Sequence, residues 1–296
     1  KRVETTFLGH PVCVERRGTD GDFERARQLI AEMDGQVDAI GLGGIDLYLV
    51  AGGRRYVVRD AQRLAEAARR TPVVDGSGLK NTLERQTVRY LAEAGLITPA
   101  DGSQRRPRCL LVSAVDRFGM AEAFAEFPCE CLYGDVIFAL KLPFPVRRLA
   151  TIRVLAAVLL PVLCRLPFQV LYPTGEHQKG SHRRGGKWLR WADVIGGDYH
   201  FIGTNLPAAT PADPRPLAGK LILTNTTTPE DVERLRTLGL RALVTTTPRL
   251  QGRSFGTNVM EGVLVALSGR APLELTEDDY LDWLQRLDWQ PQVEML

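Results

Sequence analysis

One signal, repeated three times, constrains this chain more than any other feature. An apolar, β-rich run ends in a cluster of hydroxyl, amide or glycine residues, and a helix-like pattern follows. It occurs as TPVVDGSGLKNTLERQTV over residues 71–88, KLILTNTTTPEDVERL over 220–235 and RALVTTTPRLQGRSFGTNVMEGVLVAL over 241–267. Strand–helix alternation of this kind predicts an α/β fold built on a mostly parallel, doubly wound sheet. In such sheets ligands bind outside the carboxyl ends of the strands, where helix N-termini attract anions. The repeat therefore predicts a ligand crevice at a sheet edge.

At 296 residues the chain is long for one compact core. The turn-rich, charged stretch TPADGSQRRPR at 98–108 is the natural divider. It predicts a small α/β substrate-binding lobe over 1–100 and a Rossmann-like lobe over 101–296 that ends in a docking helix. In the first lobe, Phe23, Ala26, Ile30 and Met33 recur at helical spacing. IDLYLV and RRYVV flank Ala51-Gly52-Gly53 as a hairpin does. A helix is expected over 61–70 and another over 79–94. In the second lobe CLLVSAV, FQVLYP, DYHFIG, KLILTN and ALVTTT read as strands, and residues 175–188 as a polar, basic loop. The apolar stretch 149–168 is interrupted by Arg153, Pro161 and Arg165 and is too short to span a membrane, so it reads as a helix buried against the sheet. TEDDYLDWLQRLDW, with a threonine cap and an acidic first turn, is the terminal helix.

Candidate site residues cluster at the glycine- and threonine-rich turns. In DGSGLKN, Ser77, Lys80 and Asn81 lie at a helix N-terminus, with Asp75 just before it. Lys80 is a candidate acid/base, provided neighbours lower its pKa, and Asp75 is close enough in sequence to set that pKa; the alternative is a capping turn with an exposed lysine. Asp20 in GTDGD is either a ligand for polyol hydroxyls or, like Asp22, a helix cap. Asp46 follows GLGGI, which lacks the third glycine and the following helix of a dinucleotide fingerprint. Thr226, Thr227, Thr228, Thr246 and Thr247, with Arg253 and Asn258, place hydroxyls, an amide and a guanidinium where they could grip phosphate or carboxylate groups. His200 is the histidine best placed for proton transfer. SAVDRFGMAEA, at the start of the second lobe, has a single glycine, Gly119, and makes a poor phosphate cradle.

GTDGDFERA, DAIGLGGIDLYLVAGGRRY, PVVDGSGLKNTLER and GRSFGTNVMEG together resemble a group of bacterial proteins labelled quinate 5-dehydrogenase, over nearly the whole chain. The resemblance implies a substrate lobe followed by a nicotinamide-binding lobe, a catalytic Lys–Asp pair at Lys80 with Asp75 or Asp46, and NAD or NADP as cofactor. The reading that follows is an oxidoreductase-like enzyme acting on a small anionic or polyhydroxylated ligand. Its rivals are a non-catalytic ligand-binding or regulatory protein and a nucleotide- or phosphosugar-dependent transferase. A net charge of +3 gives no reason to expect nucleic acid. Five cysteines without framework spacing, and no signal-peptide pattern at the start, point to reduced thiols in the cytoplasm. No second Cys or His pair complements Cys129-x-Cys131, so no metal is expected, and no membrane partner either. A homodimer is open to such a chain.

Overall fold

The computed structural model describes residues 2–167, 185–225, 227–246, 249–250, 253–254 and 256–296. A six-stranded sheet organises the second part of the chain. Its strands are β7 (Arg108–Leu111), β8 (Glu130–Tyr133), β9 (Val194–Gly196), β10 (Leu221–Thr224), β11 (Ala242–Thr245) and β14 (Gln292–Met295), in the order β14-β11-β10-β9-β7-β8. Five run parallel, and β14 adds antiparallel to β11 at one edge. The fold is therefore the mixed α/β, doubly wound, mostly parallel sheet expected from the strand–helix alternation.

The inner strands are apolar runs because both faces are covered. Alternate residues serve opposite cores, as a period of two demands. Cys109, Leu111, Val194, Leu221, Leu223, Ala242 and Val244 face one cluster, whereas Leu110, Ile195, Ile222 and Leu243 face the other. The second face is covered by α5 (Asp135–Phe138), α7 (Gly186–Trp191), α8 (Tyr199–Asn205) and α9 (Pro229–Thr237). The first is covered by α4 (Phe118–Glu126), α6 (Leu149–Leu163) and much of the first hundred residues, including Ile40, Leu47, Val58 and Leu91.

The first hundred residues contain a hairpin, β1 (Arg2–Phe7) and β2 (His10–Glu15), then α1 (Phe23–Met33). A short parallel pair follows, β3 (Ile40–Gly41) with β6 (Val73–Val74). Between these lie the hairpin β4 (Tyr48–Ala51)–β5 (Arg54–Val57) and α2 (Arg59–Ala65). Gly52 and Gly53 both take positive φ, 58° and 75°, as a two-residue turn matched to strand twist requires. The long helix α3 (Ser77–Glu93) then reaches the six-stranded sheet. Residues 98–108 lead into β7 against Asp193, whose carboxylate accepts from Ala100 N, Arg108 N and the Arg105 guanidinium. After the short antiparallel pair β12 (Arg249–Leu250) and β13 (Arg253–Ser254), the C-terminal helices α10 (Thr257–Ser268) and α11 (Glu277–Arg286) return to the first part of the chain. There Met260, Leu264, Tyr280 and Leu284 share a core with Phe7, Val74, Leu79 and Leu83.

Two sequence expectations need correction. DYHFIG is helix α8, not a strand. Asp198 caps it by accepting from His200 N, and the strand is the preceding Val194–Gly196. The apolar stretch 149–168 is not buried all round: α6 buries Ile152, Ala156 and Leu160 and leaves Val154, Val158 and Val162 exposed. Among the described residues no helix is long and apolar enough to cross a membrane. FQVLYP and most of the 175–188 loop fall outside the described residues.

Candidate functional site

The sheet reverses winding between β7 and β9, because β8 lies on one side of β7 and β9 on the other. The crevice beyond the carboxyl ends of that pair is where a doubly wound sheet receives a ligand. The residues that follow the strands there are charged or amide-bearing. Asp116 and Arg117 follow β7, Asp198 follows β9 and the neutral Asn225 follows β10, while α3 brings Lys80 and Glu84, four residues apart and so on one helix face.

These side chains form one network. Lys80 Nζ lies 2.8 Å from Asp116 Oδ1. The Arg117 guanidinium donates to Glu84 Oε1 at 2.7 Å and to Asp198 Oδ2 at 2.9 Å, and its Nε lies 3.2 Å from Asp116 Oδ2. Asn225 Nδ2 donates to the same Asp198 oxygen at 2.9 Å. Glu84 and Arg117 are buried, their side chains 1% and 8% exposed, whereas those of Lys80, Asp116 and Asp198 are 16%, 29% and 25% exposed. An accessible ion pair thus stands on a buried charged support.

The electrostatics assign protonation states. Burial opposes ionisation of Asp116, but the charges of Lys80 and Arg117 outweigh it and hold the carboxyl down at about 2. Burial and Arg117 act to lower the Lys80 pKa. Asp116, Asp46 and Glu84 overcome them, and the result is raised. The condition under which Lys80 would serve as a base is therefore not met: it is a charged ammonium and a hydrogen-bond donor. Burial is also the main force that raises the Glu84 pKa, against the pull of Arg117.

The structure pairs Lys80 with Asp116 and commits Asp75 elsewhere. Asp75 accepts from Leu47 N, Tyr48 N and Ser77 N, so Asp75 and the Ser77 backbone fix the turn that starts α3. Asp46 is half-buried and acts on Lys80 through its charge. Asn81 packs on Gly119, where a Cβ would lie 2.7 Å from the Asn81 carbonyl oxygen, so that glycine lets α3 and α4 touch rather than cradling a phosphate. Asn258 Nδ2 donates to Leu42 O, and its backbone sits where a Cβ on Gly76 would fall, closing α10 onto the first part of the chain. Asp20 is exposed in the turn before α1, and Asp22 is the cap. Thr228 caps α9 through a capping box with Asp231. Thr246 is buried just beyond β11, its N–H on Thr224 O, and Thr227 is half-buried after β10. His200 is exposed, edge-on to Phe201. Thr226, Thr247 and the Arg253 side chain fall outside the described residues.

Sequence reasoning missed Glu84, Asp116, Arg117 and Asp198. The signal was available: Asp116-Arg117 ends the apolar run CLLVSAV, and Asp198 ends another, in the same position as the threonine clusters.

The turn after β7 does not fit a pyrophosphate. Ala114 N and Val115 N, which in a dinucleotide fold would point at phosphate, donate to the Asp135 carboxylate at 3.1 and 2.9 Å. Beside them stand Asp116 and Asp198, so carboxylates already occupy the place an anion would take.

Fold and site together define a doubly wound α/β protein with a charged crevice at its switch point. The chain belongs to the family described as a domain of unknown function, DUF8754, whose model matches residues 78–296, and a second domain of unknown function, DUF8753, matches residues 1–75. No curated protein matches it. Among solved structures it is similar to one described as a malic enzyme (malate oxidoreductase), with 11% identity over 92% of this chain and 72% of that one and a TM-score of 0.33, a likeness too slight to carry a functional argument.

Proposed function

We propose that this chain is an enzyme of the oxidoreductase class that binds a small polyhydroxylated acid, of the quinate or shikimate type, at the β7/β9 edge. The observation that carries this reading is the Lys80–Asp116 pair, 2.8 Å apart and accessible, at the switch point of a doubly wound sheet. One substrate oxygen lies against Lys80 Nζ. The ammonium donates a charge-assisted hydrogen bond to that oxygen and orients it. Asp116 fixes the direction of Lys80 and accepts from a neighbouring hydroxyl, and Arg117 and Glu84 hold Asp116 in place. NAD or NADP would supply hydride exchange in such a reaction. The carboxylate-filled turn after β7 does not fit its pyrophosphate, so no step is assigned to it.

The test is NAD(P)H-linked turnover of quinate and shikimate. Lys80→Met should keep its fold and lose roughly 10²-fold or more in turnover. Turnover within twofold of wild type would remove Lys80 from the chemistry. A second reading, a ligand-binding or regulatory protein that uses the same crevice without chemistry, is favoured by the occupied N–H groups of Ala114 and Val115. Wild-type protein that binds quinate without turning it over would support that reading instead.

A further inference from the structure

The start of α3 is shaped around a carboxylate from the far end of the chain. Gly76, the residue before the helix, takes φ 94°, and a Cβ there would fall 2.6 Å from Asn258 N. A Cβ on Gly78 would fall 2.5 Å from Glu261 Oε1 and 2.8 Å from Tyr280 Oη. The two glycines of DGSG thus leave room for Glu261 of α10, which is 4% exposed. Its Oε2 accepts from Gly76 N at 2.6 Å and its Oε1 from Tyr280 Oη at 2.8 Å, with Gly78 N as a third donor. First-turn N–H groups have no partner within their own helix, and here a carboxylate supplies one where the helix dipole favours it. The Gly76 carbonyl in turn accepts from Lys80 N at 2.8 Å. One residue therefore joins the Glu261 carboxylate to the backbone of Lys80, whose ammonium meets Asp116.

We propose that Glu261 is a positioning residue for Lys80: its ionised carboxylate fixes the first turn of α3, and with it the aim of the Lys80 ammonium into the crevice. That Lys80 meets a ligand rests on the function proposed above; the coupling of Glu261 to Lys80 stands on the contacts alone. Asp75 does not duplicate the role, because it ties the turn to Leu47 and Tyr48, whereas Glu261 ties it to α10. The three donors set the sign. A carboxylate accepts from all of them, but a carboxylic acid carries a proton that must itself be donated, so one of them loses its partner. Burial and then the Asp75 charge hold this carboxyl up at about 7, against the pull of Tyr280, Gly76 N and Gly78 N. The charged or titratable groups that face it are Asp75, Tyr280, Tyr48 on β4 and, through Tyr280, Arg55 on β5. Ionisation costs stability, because the charge is buried, yet it directs all three bonds. Above pH 7 the start of α3 is therefore gripped, and below it the grip slackens.

Magnetic resonance on the full-length protein, with lysine carbon-labelled at the ε-methylene, reads the coupling; the Lys80 signal is the one lost in Lys80→Met. In wild type that signal should move through a midpoint at about pH 7, although Lys80 itself stays charged. In Glu261→Gln it should be flat and lie at the wild-type low-pH position. Calorimetry of quinate and shikimate supplies the functional sign. Wild type should bind the acid about fivefold tighter at about pH 8 than at about pH 6, the effect of one hydrogen bond, and Glu261→Gln should bind it equally at both, with the weaker constant. If Glu261→Gln does not fold, Tyr280→Phe takes its place: it removes a donor that holds the carboxyl down, so the Lys80 midpoint should rise. Three results would each overturn the proposal: a Lys80 signal without the midpoint, a midpoint that survives Glu261→Gln and so belongs to Glu84 or Asp135, or affinity that falls as pH rises, as the added negative charge alone would dictate. A midpoint lost in Glu261→Gln, in a protein that binds neither acid, would uphold the coupling and remove the quinate-type reading instead.

Discussion

Arg117 is the residue on which the site turns. A buried guanidinium is costly to desolvate, and only close, well-directed carboxylates offset that cost. Arg117 donates to two, Glu84 on α3 and Asp198 at the end of β9, and lies beside a third, Asp116 of its own turn. Removing one member of such a network leaves the others buried and unpaired, which typically costs 3–5 kcal/mol. Arg117→Met should therefore lower unfolding stability by about that amount in urea titrations, whereas Lys80→Met, at a more accessible position, should cost less than half as much. Equal costs would mean that the network does not rest on Arg117. Lys80 and Asp46 were legible in the sequence because each stands beside a glycine-rich turn. Asp116, the partner of Lys80, was not: local sequence offered Asp75, but the N–H groups of Leu47, Tyr48 and Ser77 claim that carboxylate, and the partner comes from 36 residues further along.

At the scale of elements, α3 carries Lys80 and is anchored from behind. Glu261 on α10 accepts from Gly76 N at 2.6 Å and from Tyr280 Oη at 2.8 Å, and so caps the start of α3 across 185 residues of sequence. Burial, then the Asp75 charge, pushes the Glu261 carboxyl up to about 7. A group whose pKa is raised in the folded state contributes stability that is full below its unfolded value, near 4.5, and is lost as pH rises through 7. Asp135, pushed up to about 6 mainly by burial, acts in the same direction over a lower window. Melting temperature should therefore fall as pH rises from about 4.5 to 7, and Glu261→Gln should abolish the part of the slope between pH 6 and 7. A slope that survives unchanged would place the titration elsewhere. Strands, hairpins and the terminal cap were readable from alternation, paired glycines and the Thr–Asp box at Thr276, whereas Thr228, read as a phosphate grip, forms the same kind of box. DYHFIG misled because its aromatic, β-prone residues follow an aspartate whose cap overrides propensity. The helix α6 misled because apolar composition does not say how much of a helix the chain itself covers.

At the scale of the molecule, one doubly wound sheet gathers the carboxyl ends of β7, β9 and β10, and α3 closes over them. A ligand crevice at the sheet edge was the expectation from the threefold repeat; among the described residues, the side chains that meet at the β7/β9 edge are Lys80, Asp116, Arg117 and Asp198, from outside the threonine clusters. With Asp135 on the Ala114 and Val115 N–H groups, NAD(P) should bind no tighter than about 0.1 mM, or about 5.5 kcal/mol; a sub-micromolar constant by calorimetry would show that the pyrophosphate finds donors beyond this edge. Titration calorimetry of quinate and shikimate into wild type and Lys80→Met tests most directly whether Lys80 and Asp116 hold a small hydroxylated acid at the β7/β9 crevice. Saturable binding of at least one of the two to wild type is expected, weakened about tenfold or more in the variant, the loss of one charge-assisted hydrogen bond. Equal affinity in both proteins, or no binding of either acid to wild type at millimolar concentration, would contradict it.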